Sequence, residues 1–201
     1  WYIMTMPGLT RWLTTARAAI APLMLKSSTQ SLSTIPARFA SSSDSQMQGL
    51  PYNRVVSDLR GLTPAAFLDA LRKTLSVREG GPATPSGKGS VAMYLGGAWY
   101  TIAMPAASDA LDVDLLQTAI LEPLLGIADV RTDKRIDFVG GIRGTSELEQ
   151  LVNAGKFAVA FSLYPVSVAD LMRIADAGGI MPPKSTWFEP KLRDGLLSHV
   201  I

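Results

Sequence analysis

The chain has 201 residues, 47% of them apolar, with 19 Lys or Arg against 17 Asp or Glu, which is enough for one folded unit with a core, or one unit and a tail. The absence of cysteine excludes disulfide and thiolate chemistry, and with His199 as the sole imidazole no structural metal and no cofactor is expected. The charge is uneven: residues 1–43 hold Arg11, Arg17, Lys26 and Arg38 and no acid, leaving 15 basic residues against 17 acidic ones in the rest, a balance that argues against nucleic acid as a partner.

Residues 1–43 read as a mitochondrial transit peptide, rich in Arg, Ser, Thr and Ala and free of acids. Met4 or Met6 is the expected initiator, since Trp1, Tyr2 and Ile3 precede any methionine. From Leu9 to Ile20, apolar residues recur near helical spacing around Arg11 and Arg17, giving a basic amphipathic helix. Arg38, followed by Phe39 and Ala40, resembles a matrix-peptidase site, with cleavage expected after Phe39 or Ala40. A disordered Ser-rich tail is the plain alternative. A membrane span is a third, although Arg17 and Pro22 interrupt the apolar run.

Residues 44–60 read as a linker, extended through Pro51, Tyr52 and Asn53, and residues 61–201 as the folded domain. Thr63 and Pro64 open a helix through Phe67, Leu68, Leu71 and Leu75. The Gly- and Pro-rich run from Gly80 to Gly89 predicts a mobile loop. Val91–Leu95 and Trp99–Ala103 flank Gly96 and Gly97 and predict a β-hairpin. Asp112, as a cap, opens a helix running to Leu125 and stopped by Gly126. Ile136–Val139 is a short strand, Thr145 opens a helix that closes at Ala154, and Phe157–Leu163 is an apolar strand. Ser167 caps a further helix through Leu171 and Ala175, and Leu196–Ile201, with His199 in it, reads as a last strand. The alternation implies the α/β or α+β class, a mixed sheet with a β-hairpin and three to four packed helices.

Three stretches carry a resemblance: Met93-Tyr94-Leu95-Gly96-Gly97-Ala98-Trp99-Tyr100; then Pro123 to Ile127 leading to Arg131 through Gly141; then Ala175 through Lys191. In this order they resemble the C-terminal part of the domain of unknown function 1015, with the resemblance running from about Thr63 to Ile201. That resemblance implies a loose kinship with ParB-like folds, some relatives of which phosphorylate free serine. The family's N-terminal Asp-Gly-His-His-Arg-Tyr type of motif has no counterpart in this chain.

Two segments are candidate sites. Gly140, Gly141, Arg143, Gly144 and Thr145 lead from a strand into a helix N-terminus and form an anion-binding candidate, with ordinary tight turns as the alternative. Lys184, Ser185, Thr186, Trp187, Phe188 and Glu189 combine a cation, hydroxyls and aromatics in the family-motif loop. The alternative there is a proline-stiffened plug that sends Trp187 and Phe188 into the core. Asp133 and Asp137 form a weaker paired-acid candidate within a charge-alternating approach to a strand, and no catalytic residue is assigned. Trp99 and Tyr100, with Trp187 and Phe188, are an interaction-surface candidate. The functional expectation is a non-catalytic accessory or structural subunit of a mitochondrial multiprotein complex, respiratory chain or ATP synthase, in the matrix or on the matrix side of the inner membrane. Its partners would be other protein subunits, with only indirect membrane contact. The alternative is a small-molecule- or nucleotide-binding enzyme, kinase-like by family analogy.

Overall fold

The structure, a computed structural model, describes residues 48–105 and 110–189. The address segment, the terminal strand with His199, and Lys191 all lie outside the described residues. Among the described residues, contacts set Ser167–Met181 apart as a unit distinct from the larger one, which holds Gly49–Val166 and the stretch from Pro182 to Glu189.

In chain order the elements are β1 (Gln48–Leu50), β2 (Tyr52–Val56), α1 (Pro64–Thr74), β3 (Ser76–Glu79), β4 (Ser90–Leu95), β5 (Ala98–Ala103), and α2 (Asp112–Leu116), which runs on as a π-helical turn over Gln117–Leu121. They continue with β6 (Ile136–Gly140), a 3-10 turn (Gly141–Arg143), α3 (Gly144–Asn153), β7 (Val159–Ser162), α4 (Val168–Asp176) and β8 (Trp187–Glu189). Six strands form one sheet in the order β3-β5-β4-β7-β2-β6, and β1 pairs with β8 in a second sheet of two strands.

The α/β class, the hairpin and the packed helices are those implied by the sequence, but every ladder of the large sheet is antiparallel rather than mixed. The reason is β2. Strands β6 and β7, joined through α3, run in the same direction and would form a parallel pair, but β2 lies between them and pairs antiparallel with both. Residues 52–56 therefore correct the reading of 44–60 as a linker, because they form an interior strand of which only Tyr52 is incompletely buried. Strand β3 is a second correction: it follows directly on α1, where the chain turns extended at Leu75, and pairs with β5 from Ser76 opposite Ala103 to Glu79 opposite Tyr100.

Local signals account for most other elements. The Thr63 hydroxyl accepts from the Ala66 amide at 3.2 Å with Pro64 at the first helical position, and α1 buries Phe67 and Leu71. Gly96 and Gly97 have φ of 58° and 88°, the two positive angles a tight β4–β5 turn needs. Asp112 does not cap its helix; buried at the first turn of α2, its Oδ1 accepts from the Gly89 amide at 2.8 Å and ties down the end of the loop before β4. In the smaller unit, Ser167 and Asp170 form a reciprocal capping box at the start of α4.

The two faces of the large sheet are distinct by register. One carries Val55, Ala160, Tyr94 and Val139, over which α3 lays Leu148, with Trp99, Leu151 and Val152 packed around them. The other carries Arg54, Phe161, Met93, Leu95 and Ile102, and the buried apolar residues of α1 and α2 complete the core.

Candidate functional site

The two candidate segments come together around the start of β2. Strand β6 delivers Gly140 beside Trp187 of β8: a Cβ on Gly140 would lie 2.6 Å from the Trp187 ring. At Gly141 a Cβ would lie 2.6 Å from both the Pro51 ring and its carbonyl oxygen, and the Gly141 amide donates to that oxygen at 2.8 Å. The glycine pair is thus explained by close approach of neighbouring groups. Arg143 turns to Glu147 one turn along α3, at 3.3 Å, and Gly144 takes a positive φ of 71° where the 3-10 turn becomes α3. Thr145 lies in the first turn of α3.

The motif loop faces inward as well. Ser185 is buried and its hydroxyl donates to the Pro182 carbonyl at 2.7 Å, closing a turn in which Lys184 takes φ of 53°. Trp187 packs edge-on against Tyr52, with ring centroids 5.4 Å apart, and its indole N–H donates to Glu189 at 3.1 Å. Tyr52 also meets Phe138 edge-on at 6.2 Å, and the Lys184 ammonium lies 5.8 Å from the Tyr52 ring centroid. Trp187 and Phe188 are half-buried.

Arg54 organises this region and has no counterpart among the residues singled out from the sequence. It is 1% exposed at the centre of β2, with its guanidinium 5.5 Å from the Phe138 ring centroid. One terminal nitrogen donates to the Tyr52 carbonyl at 2.8 Å, and the other reaches the carbonyls of Pro183 and Lys184, each at 3.4 Å. Burial pulls its pKa down to about 10, and the Asp114 carboxylate on α2 partly offsets that. Partial burial pushes the Asp114 carboxyl up, against the pull of Arg54. A buried cation satisfied by backbone carbonyls fixes a loop on a strand. Its only sequence signal is a charged residue directly before Val55 and Val56, and that reads equally well as a surface position.

The remaining candidates separate. Asp133 is held by Arg135 at 2.7 Å, which keeps its carboxyl below the ordinary carboxylate range, and Arg135 also donates to the carbonyls of Leu125 and Gly126. Asp137 sits exposed on β6 opposite Val55 and accepts from the Phe138 amide at 2.7 Å, so it makes no pair with Asp133. Trp99 and Tyr100 do not form an exposed patch. Trp99 packs on Tyr94 at 5.1 Å and donates to Glu149 of α3 at 2.7 Å, and Tyr100 is buried. Among the described residues, no group of three His, Cys, Asp or Glu side chains could hold a metal ion, and no helix is long and apolar enough to cross a membrane.

Against known proteins, the family model described as "Protein of unknown function (DUF1015)" matches residues 17–120, just over half of the chain. The chain belongs to that family. The DUF1015 match takes in α1 and the hairpin motif Met93–Tyr100, so its extent corrects the resemblance drawn over Thr63–Ile201: the second and third stretches lie beyond it. It also begins inside the segment read as an address. No curated protein matches the chain. Two solved structures of a free serine kinase, variants bound to AMP, are each 14% identical, with TM-scores of 0.46 and 0.45. Each likeness covers 73% of this chain and 55% of the kinase chain, so this protein spans little more than half of that length. Neither fold nor activity is carried over at those scores.

Proposed function

We propose that the protein is a non-catalytic accessory subunit of a mitochondrial multiprotein assembly, respiratory chain or ATP synthase, working through protein contacts on the matrix side. The observation that supports this reading is the inward use of the motif side chains. Gly140 and Gly141 make room for Trp187 and Pro51, Arg143 is paired with Glu147, and Ser185 and Arg54 hold the motif loop. Groups committed in this way maintain a shape, and a shape is what a subunit contributes to an assembly. The slightly acidic balance beyond residue 43 favours protein partners over an RNA-rich one.

Import rests on the composition of residues 1–43, and the family match from residue 17 runs into that segment. Sequencing the mature N-terminus from isolated mitochondria tests this half of the proposal. A start near Ala40 or Ser41 supports it, and a retained Met4 or Met6 refutes it. Isolation of the tagged full chain from gently solubilised mitochondria tests the other half, which requires partner proteins recovered in fixed proportion. A second reading, a small-molecule-binding protein, draws on a crevice at the β3 edge of the sheet.

A further inference from the structure

Beside the hairpin, the face of the sheet that carries Val55 and Tyr94 forms the floor of a crevice of about 390 Å³, walled by the loop between β3 and β4. Register builds the floor. Arg78 lies opposite Thr101, and Thr101 opposite Ala92, so these three side chains form one cross-strand row on one face, with Ser90 next along β4. Glu79 also lines the crevice, although its register opposite Tyr100 puts it on the other face of the strand from Arg78. Arg78 is thus the cation of the crevice floor.

The wall, the run from Gly80 to Gly89, is anchored at both ends. The Gly80 amide donates to the Trp99 carbonyl at 2.9 Å, the Met104 amide to the Gly89 carbonyl at 2.9 Å, and Gly89 is held by Asp112. Pro85 is buried, and with Pro82 it stiffens the segment. The glycine at position 81 is required, because a Cβ there would collide with the Thr101 hydroxyl.

We propose that this crevice binds a small molecule through a terminal oxyanion, carboxylate or phosphate, gripped by the Arg78 guanidinium with the hydroxyls of Thr101 and Ser90. Arg131, Arg135 and Arg143 each have a carboxylate partner. The exposed Arg78 has neither a hydrogen bond nor an ion pair among the described residues, and it stands where its fork can close on an anion. The Thr101 hydroxyl donates to the Gly80 carbonyl at 3.3 Å and Ser90 to that of Gly87 at 3.2 Å. Bonds of that length are long for a hydroxyl and are readily re-aimed at a charged acceptor. The volume exceeds a bare ion and suits a small metabolite at the low end of ligand-site sizes. This site stands apart from Arg54 and the motif loop, so it does not depend on the assembly reading.

The test is a titration of the ¹⁵N-labelled full chain with inorganic phosphate and, separately, with succinate, following backbone amide shifts. Saturable shifts at Arg78, Gly81, Ser90 and Thr101 with one probe are expected, and the probe that acts tells phosphate from carboxylate. Arg78→Gln should weaken that binding roughly tenfold or more, and Thr101→Val should weaken it less, whereas Arg143→Gln should leave it unchanged. Arg78 is exposed, so the variant spectrum itself reports an intact fold. No saturable shift with either probe, shifts centred on Gly144 and Thr145, or Arg78→Gln titrating as wild type would each overturn the proposal.

Discussion

Replacing Arg54 separates what its charge costs from what its bonds hold. Lowering the Arg54 pKa from the ordinary guanidinium value to about 10 corresponds to a penalty of about 3 kcal/mol for keeping the cation charged in the folded state. The sign is that of a base with a depressed folded pKa: the penalty is present in full below about pH 10 and is relieved as pH rises above it toward the ordinary guanidinium value. Against it stand one short charge-assisted bond to the Tyr52 carbonyl and two long ones to Pro183 and Lys184, together worth about 3–4 kcal/mol. Arg54→Met keeps the apolar stem and removes both sides, so global stability should change by less than about 2 kcal/mol. Arg54→Ala leaves a void between Phe138 and Phe161 as well and should cost about 3–5 kcal/mol. In both variants the motif loop loses its tether to β2, and amide exchange at Ser185 and Thr186 should speed up far more than exchange in β4. The assay is urea unfolding with residue-resolved hydrogen exchange. Equal losses for Met and Ala, or unaltered exchange in the motif loop, would refute the reasoning.

Gly140→Ala should cost about 1–3 kcal/mol, because its Cβ falls 2.6 Å from the Trp187 ring. Adding Trp187→Ala should recover part of that loss in a double-mutant cycle, and strictly additive losses would show that the glycine is needed for something other than the indole. Asp133 has a folded pKa held below 3.8 by Arg135, so its contribution is present above pH 3.8 and is lost as pH falls through the folded value. Asp133→Asn should therefore reduce stability at pH 6 and flatten its fall below pH 4 in acid-unfolding curves; an unchanged acid limb would contradict the pairing.

Elements punctuated by local chemistry were legible from the sequence. Thr63-Pro64 announces α1, Gly96-Gly97 the hairpin, and Ser167 the capping box of α4. Strands β2 and β3 were not, for different reasons. In β2 the alternation is broken by a buried arginine whose compensation comes from carbonyls 129 and 130 positions away, a tertiary fact with no local trace. In β3, four residues follow a helix without a turn residue between them, and their exposed pattern has no apolar period to detect. The helix opened by Asp112 is regular only to Leu116 before it widens into a π turn, which its continuous apolar pattern conceals. At the site, the glycine pair was visible but its purpose was not: glycines that admit a phosphate and glycines that admit an indole look alike until Trp187 and Pro51 are placed beside them.

The claim that this chain serves as a subunit is tested most directly by its native size. Mitochondria solubilised in mild detergent and separated by native electrophoresis, with the protein followed by mass spectrometry across the gel, should place it in a band many times the 21.5 kDa of the full 201-residue chain, comigrating with respiratory-chain or ATP synthase subunits. Migration near the mass of the free chain, at every detergent level that leaves the large complexes intact, would contradict the account.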